Sequence, residues 1–145
     1  MACLAAMVKI GGAEAYVLFD SGSNTDSITP EYAKASGLIN IRLAEQVTLQ
    51  LGCINSKSKI LFGTCAPIDF GGIKGHLYLD QVNLDRYDGI IGTPFMNRHG
   101  VVLDFGAREV RFPGGQIIKA MSSLEEASVL QDRHPWVGLS APRGN

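Results

Sequence analysis

Short segments of alternating apolar and polar residues, separated by glycine-containing turns, dominate the chain. Residues 3–10 and 13–19 flank Gly11-Gly12, which predicts a β-hairpin closed by a two-residue turn. Further strands are predicted at 47–51, near 58–62, and in hairpins that join 65–70 to 75–80 and 101–105 to 108–112. The pattern therefore predicts an all-β fold.

Two or three short helices interrupt the strands. Segment 29–37 begins with Thr as the predicted N-cap, continues with Pro and ends at Gly, which are start and stop signals of a helix. Segment 93–100 repeats this order, which suggests an internal duplication of two β–turn–helix halves. A third helix is predicted to start at Ser122 or Ser123, whose spacing to Glu125 or Glu126 fits a capping box.

Length and composition restrict the class of protein. The 145 residues suit one domain, and 46% hydrophobic with 19% charged residues is typical of globular proteins. We predict one main domain over 1–119, followed by a short helix with a flexible tail or linker over 120–145. A net charge of −1 argues against nucleic-acid binding. The longest apolar run, residues 1–8, is too short to span a membrane, so no membrane partner is expected.

Cysteine and histidine residues show no spacing that is typical of a metal site. Cys3, Cys53 and Cys65 form no C-x-x-C motif, and we interpret them as free thiols in a reducing, cytoplasmic compartment. The three histidines are scattered along the chain. We therefore expect neither a metal nor another cofactor.

The most informative carboxylate is Asp20. It follows the apolar segment 17–19 and precedes Ser21, Gly22 and Ser23. An ionised carboxylate at the end of a buried strand needs hydrogen-bond donors, which the serine hydroxyls and nearby backbone N–H groups can supply. Asp-Ser-Gly alone is also ordinary turn chemistry, so only the wider context can favour a catalytic interpretation.

That context is a second motif, Ile90-Ile91-Gly92, in the segment DRYDGIIGTPFMNRHG. Together with DSGSNTDSITPEYAKASGL it resembles the retropepsin-like aspartic proteases, in particular those of fungal gypsy/Ty3-type LTR retrotransposons. The resemblance covers roughly residues 8–112, whereas 113–145 match less clearly. It implies a closed, β-barrel-like acid protease domain that is homodimeric, with the dimer-forming terminal strands hard to locate.

The resemblance also implies roles for particular residues. Asp20 would be the catalytic aspartate, Ser21 would lock two active-site loops together, and Gly22 would orient the substrate backbone. Residues 52–56 would form a flap over a bound peptide, and 90–92 would lie beneath the Asp20 loop. The implied substrate-binding residues are Ser23, Gly52, Cys53, Ile54, Asn55 and Ile91. The hydroxyl of Ser23 is also expected to donate to the Asp20 carboxylate, the alternative being that it only caps the turn.

Physical chemistry favours a dimer independently. Peptide hydrolysis by carboxylates needs an acid and a base together, and two adjacent carboxylates that share one proton provide both. The chain holds one Asp-Ser-Gly, because the sequences after Asp69, Asp88 and Asp104 lack this order. The second aspartate is therefore expected from a second copy related by two-fold symmetry.

We therefore predict an aspartic endopeptidase that acts as a homodimer on an extended peptide or a Gag–Pol polyprotein. Pepstatin-like inhibitors are plausible ligands, and the location would be cytoplasmic, including virus-like particles. One alternative is a non-catalytic module retained for dimerisation or peptide binding. Another is a domesticated cellular retropepsin, such as the ubiquitin-linked ones. The intact Asp20-Ser21-Gly22 motif favours catalysis over the binding module.

Overall fold

A mixed β-barrel forms the body of the protein. The computed structural model describes residues 3–51 and 56–133. The strands are β1 Cys3–Ile10, β2 Ala13–Asp20, β3 Ser27–Ile28, β4 Ile41–Leu51, β5 Ser56–Phe70, β6 Ile73–Gln81, β7 Gly89–Ile91, β8 Val102–Asp104, β9 Glu109–Arg111 and β10 Ile117–Lys119. The helices are α1 Pro30–Ala35, α2 Thr93–His99 and α3 Ser123–Arg133.

The barrel closes through a pairing between strands that are distant in sequence. The large sheet has the order β1-β2-β7-β3-β6-β5-β4, and β1 also pairs with β5 through Lys9 with Asp69 and Ile10 with Ile68. Six strands therefore form a closed ring, with β4 extending β5 on its outer side. Strands β8, β9 and β10 form a separate three-stranded sheet. The predicted all-β, closed-barrel fold with three short helices is confirmed.

The glycine turns and the alternation of apolar residues explain the local structure. Gly11 and Gly12 have φ values of 69° and 81°, as a tight turn between β1 and β2 requires. Strand β5 runs without interruption through Gly63, where two separate strands were predicted. The missing side chain at Gly63 makes room for the Tyr78 ring, which an added Cβ would contact at 2.6 Å. The glycine therefore marks a close approach within the sheet and not a turn.

Two apolar clusters lie on opposite sides of β2. The main core contains Val17 and Phe19, and the second core contains Tyr16 and Leu18. The other fully enclosed members of the main core include Ile10, Ile28, Leu79, Ile91, Phe95 and Val110. The second core is completed by Ala5, Val82 and Ile90. Period-two alternation along β2 therefore places Asp20 on the side of Tyr16 and Leu18.

The first two helices differ at their N-termini, although their sequences look alike. Thr29 caps α1 as predicted, because its Oγ1 accepts from the N–H of Tyr32 at 3.1 Å. In α2 the N-cap is Gly92, and Thr93 lies inside the helix. The predicted Thr93 cap is wrong, because its hydroxyl donates to the Ser23 carbonyl at 3.1 Å.

The third helix begins with the predicted capping box. Ser122 Oγ accepts from the N–H of Glu125 at 3.2 Å, and Glu125 Oε1 accepts from the N–H of Ser122 at 2.8 Å. Helix α3 then packs on the second core through Val129, and the Tyr16 hydroxyl donates to Glu126 Oε1 at 2.9 Å. The predicted boundary between 119 and 120 stays a prediction.

The cysteines depart in part from expectation. Cys65 is free, as predicted, but Cys3 takes part in a disulfide bond, so the free-thiol interpretation is wrong for Cys3. Cys53 lies outside the described residues, and the cytoplasmic location stays a prediction. Within 3–51 and 56–133, no helix is long and apolar enough to cross a membrane. The same part of the chain holds no group of three or more His, Cys, Asp or Glu that is arranged for a metal.

Candidate active site

Asp20 is the last residue of β2 and is completely buried. Its Oδ1 accepts a hydrogen bond from the N–H of Gly22 at 2.8 Å. The N–H of Ser23 donates to the Asp20 carbonyl at 3.2 Å, which closes a tight turn. The strand therefore fixes the carboxylate from one side and the turn supplies a backbone donor from the other, as expected for a buried acid.

Ser23 does not act as predicted. Its hydroxyl donates to the Thr25 carbonyl at 2.9 Å, and its Oγ accepts from the N–H of Thr25 at 3.4 Å. A serine hydroxyl has one hydrogen, and here Thr25 receives it. The expected donation from Ser23 to the Asp20 carboxylate is therefore wrong. Ser23 instead shapes the loop, in which its side chain is 1% exposed.

Strand β7 lies directly beside the strand that carries Asp20. The two pair in parallel, with Val17 opposite Gly89 and Phe19 opposite Ile91. The chain then turns at Gly92, where the N–H of Thr93 donates to the Ser23 carbonyl at 3.0 Å. The two motifs singled out in the sequence, 20–22 and 90–92, are thus adjacent in space.

Gly92 allows this close approach. An added Cβ would collide with the Thr25 carbonyl and would lie 2.7 Å from the Ser23 carbonyl, both of which are backbone atoms. Backbone cannot move aside as a flexible side chain can. The Asp20 loop and the start of α2 are therefore packed together too tightly for any residue with a side chain at this position.

The remaining predicted site residues have different surroundings. Ile91 is fully buried in the main core, and its predicted role in substrate binding stays a prediction. Ser21 is exposed on the loop. Gly22 is half-buried beside Asp20. The predicted flap residues 52–55 lie outside the described residues.

Asp26 is a site residue that the sequence analysis missed. Its side chain is 6% exposed, and its Oδ1 accepts from the N–H of Gly92 at 2.8 Å. Its carbonyl accepts from the N–H of Asp80 at 2.9 Å, which ties the loop to β6 as well. Asp26 lies in a polar segment whose sequence is typical of a turn. Its hydrogen-bond partner, Gly92, is 66 residues away in the sequence, so local patterns could not identify the contact.

The electrostatic surroundings of Asp26 are unusual for a carboxylate. Burial raises the pKa of Asp26 from 3.8 to about 6, and the nearby Asp80 carboxylate adds to the increase. The backbone N–H groups of Gly92 and Phe95 oppose this effect, because they donate hydrogen bonds to the charged form. Asp26 therefore changes charge near pH 6 within the structure that supports the Asp20 loop.

The side of the barrel that carries Asp20 is apolar around the carboxylate. Leu18, Val82 and Ile90 belong to the second core, which lies on this side of β2. At its far end Tyr16 bonds to Glu126 of α3, and this contact together with burial raises the pKa of the Tyr16 hydroxyl. Asp20 therefore lies at the end of β2 on the side of a buried apolar cluster.

Comparison with known structures defines the fold. The chain is similar to the crystal structure of the retroviral protease-like domain of Ddi1 from Leishmania major, with a TM-score of 0.62 and 15% sequence identity. The alignment covers 86% of this chain and 95% of that chain. No protein-family model matches the chain, and no curated protein matches it. The protein therefore has a retropepsin-like fold, the fold that the paired motifs predicted.

Proposed function

We propose that the protein is an aspartic endopeptidase that is active as a homodimer. The observation that carries this proposal is the buried Asp20 in an Asp-Ser-Gly turn, next to the parallel strand β7, in a retropepsin-like fold. An aspartate so placed, together with its copy from a second chain, provides the two carboxylates that peptide hydrolysis requires.

In this mechanism the two Asp20 carboxylates share one proton across a two-fold axis. The ionised carboxylate takes a proton from a water molecule, which then attacks the peptide carbonyl carbon. The protonated carboxyl supports the developing charge on the carbonyl oxygen and returns a proton to the leaving nitrogen. The N–H of Gly22 holds Oδ1 of each aspartate in position, so that the carboxylates need not reorganise during the reaction.

The need for two chains follows from the structure of one. A single chain contributes one Asp-Ser-Gly turn, and Ser21 within that turn is exposed. We propose that Ser21 contacts the loop of the partner chain and so holds the two turns in register. Because the proposed site is incomplete in one copy, the fraction of chains that are active equals the fraction that are dimeric.

The substrate is proposed to be an extended polypeptide, with pepstatin-like compounds as inhibitors. Processing of a Gag–Pol polyprotein in the cytoplasm or in virus-like particles rests on the similarity of the two motif segments to those of gypsy/Ty3-type elements. A domesticated cellular protease would use the same site.

The proposal is tested with a library of extended peptides. Purified wild type should cleave a subset of them, pepstatin should inhibit cleavage, and Asp20→Asn should lower kcat/KM by at least about 10²-fold while the circular dichroism spectrum stays unchanged. The control is Asp69→Asn, because Asp69 is an exposed carboxylate that pairs only loosely with Lys74, at 3.9 Å. It should retain full activity.

A non-catalytic peptide-binding module gives a different result in the same experiment. Such a module binds peptides without cleaving them, and Asp20→Asn would leave both properties as they are. Cleavage by Asp20→Asn at the wild-type rate would also exclude the proposed chemistry, because the activity would then come from another protein or another site.

A further inference from the structure

We propose that Asp26 is a positioning residue of the active site: its carboxylate caps the N-terminus of α2 from outside the helix and thereby holds the Asp20 loop in its working geometry. The proposal rests on the proposed function for its effect on catalysis. The capping of α2 by Asp26 is independent of that function, because the contacts involved lie within one chain.

The contact itself is short and enclosed. Oδ1 of Asp26 lies 2.8 Å from the backbone nitrogen of Gly92 in a buried hydrogen bond, and the N–H of Phe95 also donates to this carboxylate. Gly92 directly precedes α2 and Phe95 lies in its first turn, so a carboxylate that accepts from both N–H groups performs the task of an N-cap side chain. Here the residue that does so is distant in sequence from the helix.

Helix α2 has no capping side chain at its own N-cap position. Its N-cap residue is Gly92, which offers no side chain, and Pro94 has no N–H. The N–H of Thr93 donates to the Ser23 carbonyl, and the N–H of Met96 donates to the Gly92 carbonyl. Every other backbone donor of the first turn thus depends on Asp26.

The same contacts join the helix to the catalytic turn. Asp26 and Ser23 belong to the loop that starts at Asp20, and both bind the segment Gly92–Thr93. Gly92, which has no Cβ, lies close to the backbone carbonyls of Ser23 and Thr25. Without the carboxylate, the loop keeps the bonds made by Ser23 and the bond from the Asp80 N–H to the Asp26 carbonyl, but it loses its side-chain anchor to the start of α2. The turn that carries Asp20 is then held less firmly against α2.

The charged groups around Asp26 provide little compensation for its own charge. Asp80 on β6 accepts from the Thr25 hydroxyl and repels the Asp26 carboxylate. Arg98 on α2 lines the same cleft of about 250 Å³ as Asp26, together with Tyr78 of β6. No ion pair between Arg98 and Asp26 occurs in the described part of the chain. Burying a charge beside an acidic neighbour costs free energy of folding, even with two backbone donors. In this proposal the carboxylate offsets that cost by fixing the position of the loop.

The decisive variant is Asp26→Asn, which keeps the shape and one acceptor oxygen but turns the second oxygen into a donor that faces an N–H group. We expect kcat to fall by about 10- to 100-fold, as for a displacement of about 1 Å at a reacting group, while KM changes by less than about threefold. Asp69→Asn is the matched control and should leave both constants unchanged.

A merely structural role gives a different pattern. In that case the variant would lose activity only in proportion to the fraction unfolded, and kcat per folded molecule would equal that of the wild type. Equal kcat in a folded Asp26→Asn protein would therefore overturn the proposal. A reduced kcat in a variant that is at least as stable as the wild type at pH 7 would support it.

A second measurement is independent of proteolysis and of whether the variant folds. In the wild-type protein, the backbone amide NMR signals of Gly92 and Gly22 are followed between pH 4 and 8. Both should shift with a midpoint near pH 6, the pKa of Asp26, because Gly92 binds Asp26 and Gly22 reports the Asp20 carboxylate. A Gly92 signal that titrates while Gly22 does not would overturn the coupling. If wild type cleaves no peptide but both signals titrate together, the proposed function fails and the positioning role stands.

Discussion

Asp26→Asn should change the pH dependence of stability in a direction that the structure determines. The wild-type carboxyl group has its pKa raised from 3.8 to about 6 by burial and by Asp80. Between these two pH values the folded protein binds more protons at this position than the unfolded chain does. The contribution of Asp26 to the free energy of unfolding is therefore largest below about pH 4 and falls as the pH rises towards 6.

The size of the effect follows from the same values. One pKa unit corresponds to about 1.4 kcal/mol, so the increase from 3.8 to about 6 is equivalent to about 3 kcal/mol of stability lost between acidic and neutral pH. The asparagine side chain does not ionise and escapes this loss. Relative to the wild type, the variant should gain up to about 3 kcal/mol between pH 4 and pH 7.

The assay is urea unfolding of both proteins at pH 4, 5, 6 and 7. The protomer concentration must be equal throughout, because the stability of a dimer depends on it. Taking the difference between the two proteins at each pH removes the contribution of the carboxylates that do not interact with Asp26. A difference that does not change with pH would refute the reasoning, and so would one in which the variant becomes relatively less stable as the pH rises.

Three further outcomes follow from the site geometry. Gly92→Ala should destabilise the protein by about 1–3 kcal/mol in urea unfolding, because its Cβ meets backbone carbonyls, whereas Gly106→Ala, with nothing nearer than 3.6 Å, should be neutral. Ser23→Ala should cost about 1 kcal/mol but leave the acidic limb of kcat/KM against pH in place, because the Ser23 hydroxyl serves Thr25; a shifted limb would contradict this. Specific activity should fall when the enzyme is diluted below its dimer dissociation constant, and a fully active monomer in sedimentation would contradict the two-chain site.

Sequence patterns predicted the parts of the fold that depend on neighbouring residues. The first hairpin, the α1 cap at Thr29 and the capping box at Ser122 all agree with the structure, because their hydrogen bonds join residues a few positions apart. The paired motifs around Asp20 and Ile90 predicted the retropepsin-like fold. In the structure the two motifs are neighbours, because β2 and β7 pair in parallel.

The features that could not be predicted depend on contacts between distant segments. Thr93 was expected to cap α2 as Thr29 caps α1, but Asp26 does so from the neighbouring segment before β3. Ser23 was expected to donate to the Asp20 carboxylate, but its hydroxyl donates to the Thr25 carbonyl instead. Periodicity along one segment contains no information on which of two competing partners a polar group will choose.

The central claim is that two copies of Asp20 form one active site, and a subunit-mixing experiment tests it most directly. Wild-type chains are mixed with Asp20→Asn chains at constant total concentration, allowed to exchange, and assayed on a peptide that wild type cleaves. If each site needs an aspartate from both chains, activity falls with the square of the wild-type fraction, to about one quarter at equal amounts. If about three quarters of the activity remains at equal amounts, one Asp20 is sufficient in a shared site; if about one half remains, each chain acts independently with its own Asp20. Either result would contradict the account.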